Sequence, residues 1–326
     1  MTAGPLLLAC LCDAVLGDPR WFPHPVRLMG WVVGWIDGHV RRATASPVVR
    51  RVAGCCLAIG LPLGVWELAA TAIDLAGRVH ATVGTAAGIL LAWTTLAARD
   101  LIDHALAVRR ALDAGSLADA RAAVSQIVGR DTAQLDEPEI VRATVETIAE
   151  STCDGVVAPL VCLAIGGAPL ALAYKAVSTL DSMIGHKDER HRDVGWASAR
   201  LDDVVNWLPA RLTGLLLVTS ACVIGLGRGQ GIGTARAAWK IFLRDGAKHP
   251  SPNSGRPEAA MAGALGVRLG GVNWYGGMPD ARPTLGDPLN PLTPGHIGRA
   301  LGLMATASIL AACGAAVLGT MGAGLS

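Results

Sequence analysis

The 326-residue chain carries little charge. Only 17% of its residues are Asp, Glu, Lys or Arg, against about 25% in an ordinary soluble domain. Apolar residues make up 52%, and mean hydropathy is positive. No basic run is dense enough to track a phosphate backbone and the net charge is only +2, so nucleic acid is not an expected partner. The eight cysteines form no CxxC pair. Cys10, Cys12, Cys55, Cys56, Cys162, Cys222 and Cys313 lie in or near apolar runs and read as small buried hydrophobes, so nothing requires an oxidising compartment. The pattern GxxxxGKS/T is missing, which excludes a P-loop as phosphate cradle. The apolar start from Pro5 to Leu16 lacks a basic n-region and a small-residue cleavage site, and is not read as a signal peptide.

Long apolar runs are what the chain does have. Residues 52–77 and 81–98 predict two spanning helices joined as a hairpin by Arg78-Val79-His80, and 205–226 and 300–322 predict two more. Arg41, Arg42, Arg50 and Arg51 precede the first pair and Arg99, Arg109 and Arg110 follow it, which places both flanks in the cytoplasm. Nine tryptophans, many near span ends, fit an interfacial belt. Residues 99–154 read as a soluble helical insert. Gly115 closes its first helix, Ser116 with Asp119 caps the second and Pro138 opens the third. Residues 227–299 read as a polar, loop-rich region with a Gly/Ala-rich helix from Ala259. The expected fold is all-α: one polytopic membrane-embedded domain, 1–326.

Most of the chemistry falls between Arg142 and Asp203. Glu146, Glu150 and Asp154 recur every fourth residue and so share a helix face. Like charges at that spacing cost roughly 0.2–0.5 kcal/mol per pair, so a bare stripe asks for a cation. The competing reading pairs Arg142 with Glu146 on a solvated face. Val156 to Ile165 is apolar but spans only about 15 Å of helix, half of a bilayer core of about 30 Å. A breaker, Gly166-Gly167-Ala168-Pro169, follows it. A re-entrant hairpin over 155–175 would return Asp154 and Lys175 to one membrane face. Asp181, His186, Lys187, Asp188 and Glu189 come next, and Arg200, Asp202, Asp203 and Asn206 stand before Pro209, which is read as ending their helix. Two loops add donors. One is the proline-rich turn holding Asp18. The other is 248–258, with His249, Asn253, Arg256 and Glu258 ahead of a helix N-terminus suited to an anion.

These stretches also carry a resemblance. LeuGlyAspPro at 16–19, GlyArgAspThr at 129–132, LeuAspGluProGluIleValArg at 135–142 and AspGlyValValAlaProLeu at 154–160 resemble the adenosylcobinamide-phosphate synthase family, the CobD/CbiB proteins of cobalamin biosynthesis. LysAlaValSerThrLeuAspSerMetIleGly at 175–185, TrpAlaSerAlaArgLeuAspAsp at 196–203 and SerProAsnSerGlyArgProGlu at 251–258 extend the likeness over nearly the whole chain. Ser178 and His186 depart from it. The resemblance implies an acid–amine ligase: ATP activates a propionate carboxylate of adenosylcobyric acid, and aminopropanol or its phosphate attacks. It implies Mg2+ on Glu146, Glu150, Asp154, Asp202 and Asp203. Lys175, Lys187, Arg192 and Arg200 would be cationic clamps, Asp181 the base, and Glu150 a further catalytic carboxylate. Asp18, Arg130, Arg192, Arg200, Asn206, His249, Asn253, Arg256 and Glu258 would contact substrate or ATP. The enzyme would be multi-pass in the cell membrane with its site facing the cytoplasm, as a homo-oligomer or associated with other late cobalamin-pathway enzymes. Two rival readings are a metal-dependent membrane phosphotransferase acting on a lipid or alcohol, and a small-molecule transporter using Glu67 and Asp74 inside the first span.

Overall fold

The computed structural model describes residues 1–19, 21–186, 191–229 and 231–323. In chain order its helices are α1 Ala3–Leu16, α2 Pro25–Ala43, α3 Pro47–Val79, α4 Ala81–Trp93, α5 Ala98–Asp113, α6 Leu117–Val124 and α7 Glu137–Thr152. After a π-helical turn, Cys153–Val157, come α8 Ala158–Ile184, α9 Trp196–Val205, α10 Trp207–Gly227, α11 Gly233–Asp245 and α12 Gly255–Leu265. A hairpin of β1 Leu269–Tyr275 and β2 Met278–Leu285 precedes α13 Gly295–Ala323. Five described helical segments are long and apolar enough to cross a membrane: Pro47–Val79, Ala81–Asp113, Glu137–Ile184, Trp207–Gly227 and Gly295–Met321. The chain is all-α apart from that hairpin, as expected.

Two compact units interleave along the sequence. The first takes Met1–Ala97, Ala158–Asn206 and Ala312–Ser326; the second takes Ala98–Val157 and Trp207–Ala311. In the first, α8 runs antiparallel to α3. Leu172 and Ala176 pack with Ala69 and Met29, while Leu180 and Ile184 pack with Leu57 and Val33. The expected breaker does interrupt this helix. Gly167 leaves helical geometry at φ 68°, ψ −163°, a region open to glycine, and Pro169 follows. The arm beyond the break is longer than 170–175, continuing to Ile184. The expected 81–98 span lies within the membrane-length segment Ala81–Asp113, whose regular helix pauses after Trp93. Thr94 and Thr95 turn their hydroxyls onto the carbonyls of Leu91 (2.8 Å) and Ala92 (2.7 Å), a local bond that competes with continued helix.

In the second unit, Leu101, Ala105, Val108 and Leu112 line one face of α5 and meet a core from α6, α7, α10, α11, α12 and α13. Its helix ends follow the local chemistry read from sequence. Ser116 accepts from the Asp119 amide, and Asp136 and Glu139 form a reciprocal capping box with Pro138 in the first turn. Two readings need correction. Pro209 does not end a helix but sits in the first turn of α10, where its missing N–H costs nothing. The region 227–299 is more ordered than a loop-rich reading allows: beside the expected helix, here α12, it holds α11 and the β-hairpin. The hairpin turn is Gly276-Gly277, with φ 58° and 78°, the left-handed pair that a two-residue turn of this twist requires.

Candidate functional site

The sequence-predicted residues divide between the two units. Arg130, Glu146, Glu150, Asp154, His249, Asn253, Arg256 and Glu258 belong to the second; Asp18, Lys175, Asp181, Arg192, Arg200, Asp202, Asp203 and Asn206 belong to the first. Lys187 lies outside the described residues.

The second unit is built around Glu146. Its Oε2 accepts from Arg130 Nη2 at 2.6 Å; its Oε1 accepts from Arg142 Nη1 at 3.3 Å and from the Gly270 amide at 2.8 Å. The side chains of Glu146, Arg130 and Arg142 are only 7%, 9% and 10% exposed. Arg142 therefore pairs with Glu146, as the competing reading had it, but in the interior rather than on a solvated face. Both arginines also donate to Asn273 Oδ1, at 2.7 and 3.1 Å, and Arg142 reaches the carbonyls of Gly270 (2.7 Å) and Val272 (3.0 Å). The GlyArgAspThr segment completes the junction. The Asp131 amide donates to Trp274 O at 2.7 Å, and the Gly277 amide donates to Asp131 Oδ2 at 2.8 Å. One ionic cluster thus fastens the β-hairpin and the 129–132 loop to α7. Asn273 and Arg142 were not among the predicted site residues; the Gly276-Gly277 turn was the available signal that a hairpin, with an inward Asn273, would exist.

One turn on, Glu150 is exposed and accepts from Ser254 Oγ at 2.9 Å. The regular stripe stops there, because Asp154 falls in the π-helical turn, a feature frequent at functional sites. Glu258, on the first turn of α12, is buried; desolvation first, then the charges of Glu146 and Glu150, push its pKa well above the ordinary carboxylate range. His249 accepts from the Ser251 amide at Nδ1 (3.0 Å), and burial lowers its pKa, with Arg282 adding to the effect. Arg256 lies with its guanidinium 5.7 Å from the Phe242 ring centre, its Nε buried and without a hydrogen-bond partner among the described residues. Below these, buried Asp245 anchors the end of α11. It accepts from Arg244, from Lys248 Nζ at 2.6 Å and from the Gly286 amide at 2.8 Å. These bonds, Arg244's first, hold its pKa far below the usual range.

In the first unit Asn206 joins α8 to α9. Tyr174 OH donates to Asn206 Oδ1 at 2.9 Å, and Asn206 Nδ2 lies 3.0 Å from each oxygen of Asp202. Arg200 and Asp203, three residues apart on α9, are 3.4 Å apart. Lys175 and Asp181 are half-buried on α8, and Arg192 is exposed. Asp18 Oδ1 is 3.3 Å from His24 Nε2 in the proline-rich turn, which Trp93 holds through a 3.1 Å bond to Gly17 O. Asp74, weighed as an intramembrane carboxylate, is exposed and paired with Arg78 at 2.7 Å, and Glu67 is exposed on α3.

Of the five carboxylates expected to bind Mg2+, Glu146 and Glu150 stand on α7, Asp154 on the π-helical turn after it, and Asp202 and Asp203 on α9. Among the described residues no group of three or more His, Cys, Asp or Glu side chains is placed to hold a metal ion. Both oxygens of Glu146 are engaged by cations and an amide, and both of Asp202 by Asn206. Mg2+ is commonly held by one or two carboxylates together with substrate phosphates. Exposed Glu150, with one oxygen engaged, fits that arrangement.

A family model described as CobD/CbiB protein matches residues 6–304. The chain is 52% identical to the cobalamin biosynthesis protein CobD of Geobacter metallireducens over 288 residues, covering 88% of this chain and 87% of that one. It is 46% identical to a CobD of Klebsiella pneumoniae over 93% of each chain, and 44% identical to the CbiB of Salmonella typhimurium, again over 93% of each. No solved structure matches it. A match over nearly the full length, at such identity, leaves one conclusion: the chain belongs to the CobD/CbiB family of cobalamin biosynthesis proteins.

Proposed function

We propose that this protein ligates aminopropanol, or its phosphate, to a propionate carboxylate of adenosylcobyric acid at the expense of ATP, giving adenosylcobinamide or its phosphate. The observation that carries this reading is the family match across residues 6–304, which takes in the acidic helix α7, the 175–203 stretch and the 248–258 loop. In this reading Glu150 would hold Mg2+ together with the phosphates of the nucleotide. When bound, Mg2+ gathers the phosphate oxygens and offsets their charge. Lys175, Lys187, Arg192 and Arg200 act as clamps for phosphate and propionate groups, and Asp181 takes a proton from the incoming ammonium. Arg130 and Arg142 play a different part. Committed to Glu146, they fix the hairpin rather than bind substrate.

The test is a mass-spectrometric assay of the purified protein with adenosylcobyric acid, ATP, Mg2+ and each amine. The amide product is expected with at least one amine and only with ATP present. No product in that assay, but turnover of a diacylglycerol nucleotide, would replace the reading with a phosphotransferase; ATP-independent uptake of the corrinoid into vesicles would replace it with a transporter. The reading also places the site on the cytoplasmic side. Single cysteines at exposed Ser182 and Ala247, in a cysteine-free background, should both be labelled from that side.

A further inference from the structure

His249 lies in the segment between α11 and α12, and its ring is held in one tautomer. The Ser251 amide, which can only donate, points at Nδ1 from 3.0 Å. Nδ1 therefore keeps its lone pair, and a neutral imidazole so held carries its hydrogen on Nε2. That Nε2 is buried and has no hydrogen-bond partner among the described residues, whereas buried donors in folded proteins are almost always paired. The charged groups that act on the ring come from two elements: Glu146 and Glu150 on α7 and Arg282 on β2. Burial, the largest influence, disfavours the imidazolium; Arg282 opposes it as well, while Glu150, the Ser251 backbone and Glu146 act the other way. The neighbouring Ser254 hydroxyl is already turned to Glu150, and Glu146 is taken up by two arginines. With the Ser254 hydroxyl and Glu146 so engaged, a desolvated N–H remains beside a half-buried arginine.

We propose that His249 is a neutral, fixed-tautomer hydrogen-bond donor whose Nε2–H binds an acyl or phosphoryl oxygen of the substrate. The carboxyl group being activated and the phosphates of the nucleotide both present such oxygens. A neutral donor suits either role. It stabilises negative charge that develops on an oxygen without placing a mobile proton beside it, and it needs no reorganisation at the moment of reaction. A general base at this nitrogen is ruled out by the Ser251 contact, since the lone pair faces the backbone. This assignment rests on the ligase reading for the identity of the oxygen, but not for the state of the ring.

Two measurements test it on the full-length protein in detergent. Nitrogen-15 spectra of labelled histidine at neutral pH should show His249 protonated at Nε2 alone. The Nε2 signal should move on addition of inorganic phosphate or ATP if the oxygen is phosphoryl, and on addition of adenosylcobyric acid without nucleotide if it is acyl. Glutamine can present an N–H near the Nε2 position and asparagine cannot. His249→Asn should therefore lose at least about ten-fold more kcat/KM than His249→Gln, within the 10²–10³-fold range typical of removing one oxyanion donor. A proton on Nδ1, an imidazolium at neutral pH, or an Nε2 signal that no addition moves would overturn the assignment. So would equal losses in the two variants. Should the wild type make no amide while phosphate still moves the Nε2 signal, the ligase reading fails and the donor assignment stands.

Discussion

Glu146 on α7 and the paired aspartates of α9 are satisfied in opposite ways. In the unit holding α7, Glu146 is paired with arginines 16 and 4 residues away and with an amide 124 residues away, all in the interior. In the unit holding α8 and α9, Asp202 is met by Asn206 four residues on and Asp203 by Arg200 three residues back, with both aspartates half-exposed. Long-range buried pairs create tertiary structure and are costly to break. Local half-exposed pairs decorate a helix that would form without them. Sequence spacing reports the second kind well and the first kind poorly.

The largest expected effect comes from breaking a buried pair on one side only. Arg142→Ala should destabilise the second unit by about 3 kcal/mol, the low end for a broken buried pair, because the carbonyls of Gly270 and Val272 lose their side-chain donor while Glu146 keeps Arg130 and the Gly270 amide. Thermal unfolding in detergent reads the loss, and hydrogen exchange should show lost protection concentrated in the amides of residues 269–285. An unaltered melting temperature would mean that the hairpin does not depend on this cluster.

Asp245 gives an intermediate effect with a pH signature. Asp245→Asn should cost about 1–3 kcal/mol at neutral pH, since a buried carboxylate with donors from Arg244, Lys248 and Gly286 loses its charge. The folded-state pKa of Asp245 lies below its ordinary value, chiefly through Arg244. Its contribution is therefore fully present above about pH 4, the unfolded carboxylate value, and is lost as pH falls through the lower folded value. The gap between wild type and variant in unfolding scans should accordingly shrink below about pH 4 and stay constant above it; a gap that widens on acidification would contradict this.

The local network should matter less. Asn206→Ala removes the link between Tyr174 and Asp202 and should cost about 1 kcal/mol of stability. Any larger loss of turnover, measured as kcat/KM, would mark Asp202 as a residue whose orientation the reaction needs. Smallest of all, Asp103→Asn disrupts only an exposed pair with Arg99 on α5 and should change stability by under about 0.5 kcal/mol. Measuring it beside Arg142→Ala sets the scale of the contrast between exposed and buried pairs.

The sequence by itself determined the features that depend on near neighbours or on bulk composition. Four of the five membrane-length segments follow from apolar runs, because burying apolar area in lipid depends on content and length rather than on partners. The ends of α5, α6 and α7 follow from Gly115, Ser116, Asp136 and Pro138, because capping is settled within a turn. The break at Gly167 follows from the Gly-Gly-Ala-Pro cluster. Family membership was legible as well, since its motifs are contiguous words in the chain. Only the tertiary structure decided that Glu146 is an anchor rather than a bare acid, that Asn273 and Gly270 complete its shell, and that the stripe ends at a π-helical turn before Asp154. It alone brought the Ser251 amide onto His249 Nδ1 and buried Glu258. The reason is the same in each case: whether a carboxylate meets lipid, water, a metal or an arginine is set by groups brought up to 124 residues along the chain, and the free energy of that choice comes from desolvation, which no local spacing encodes.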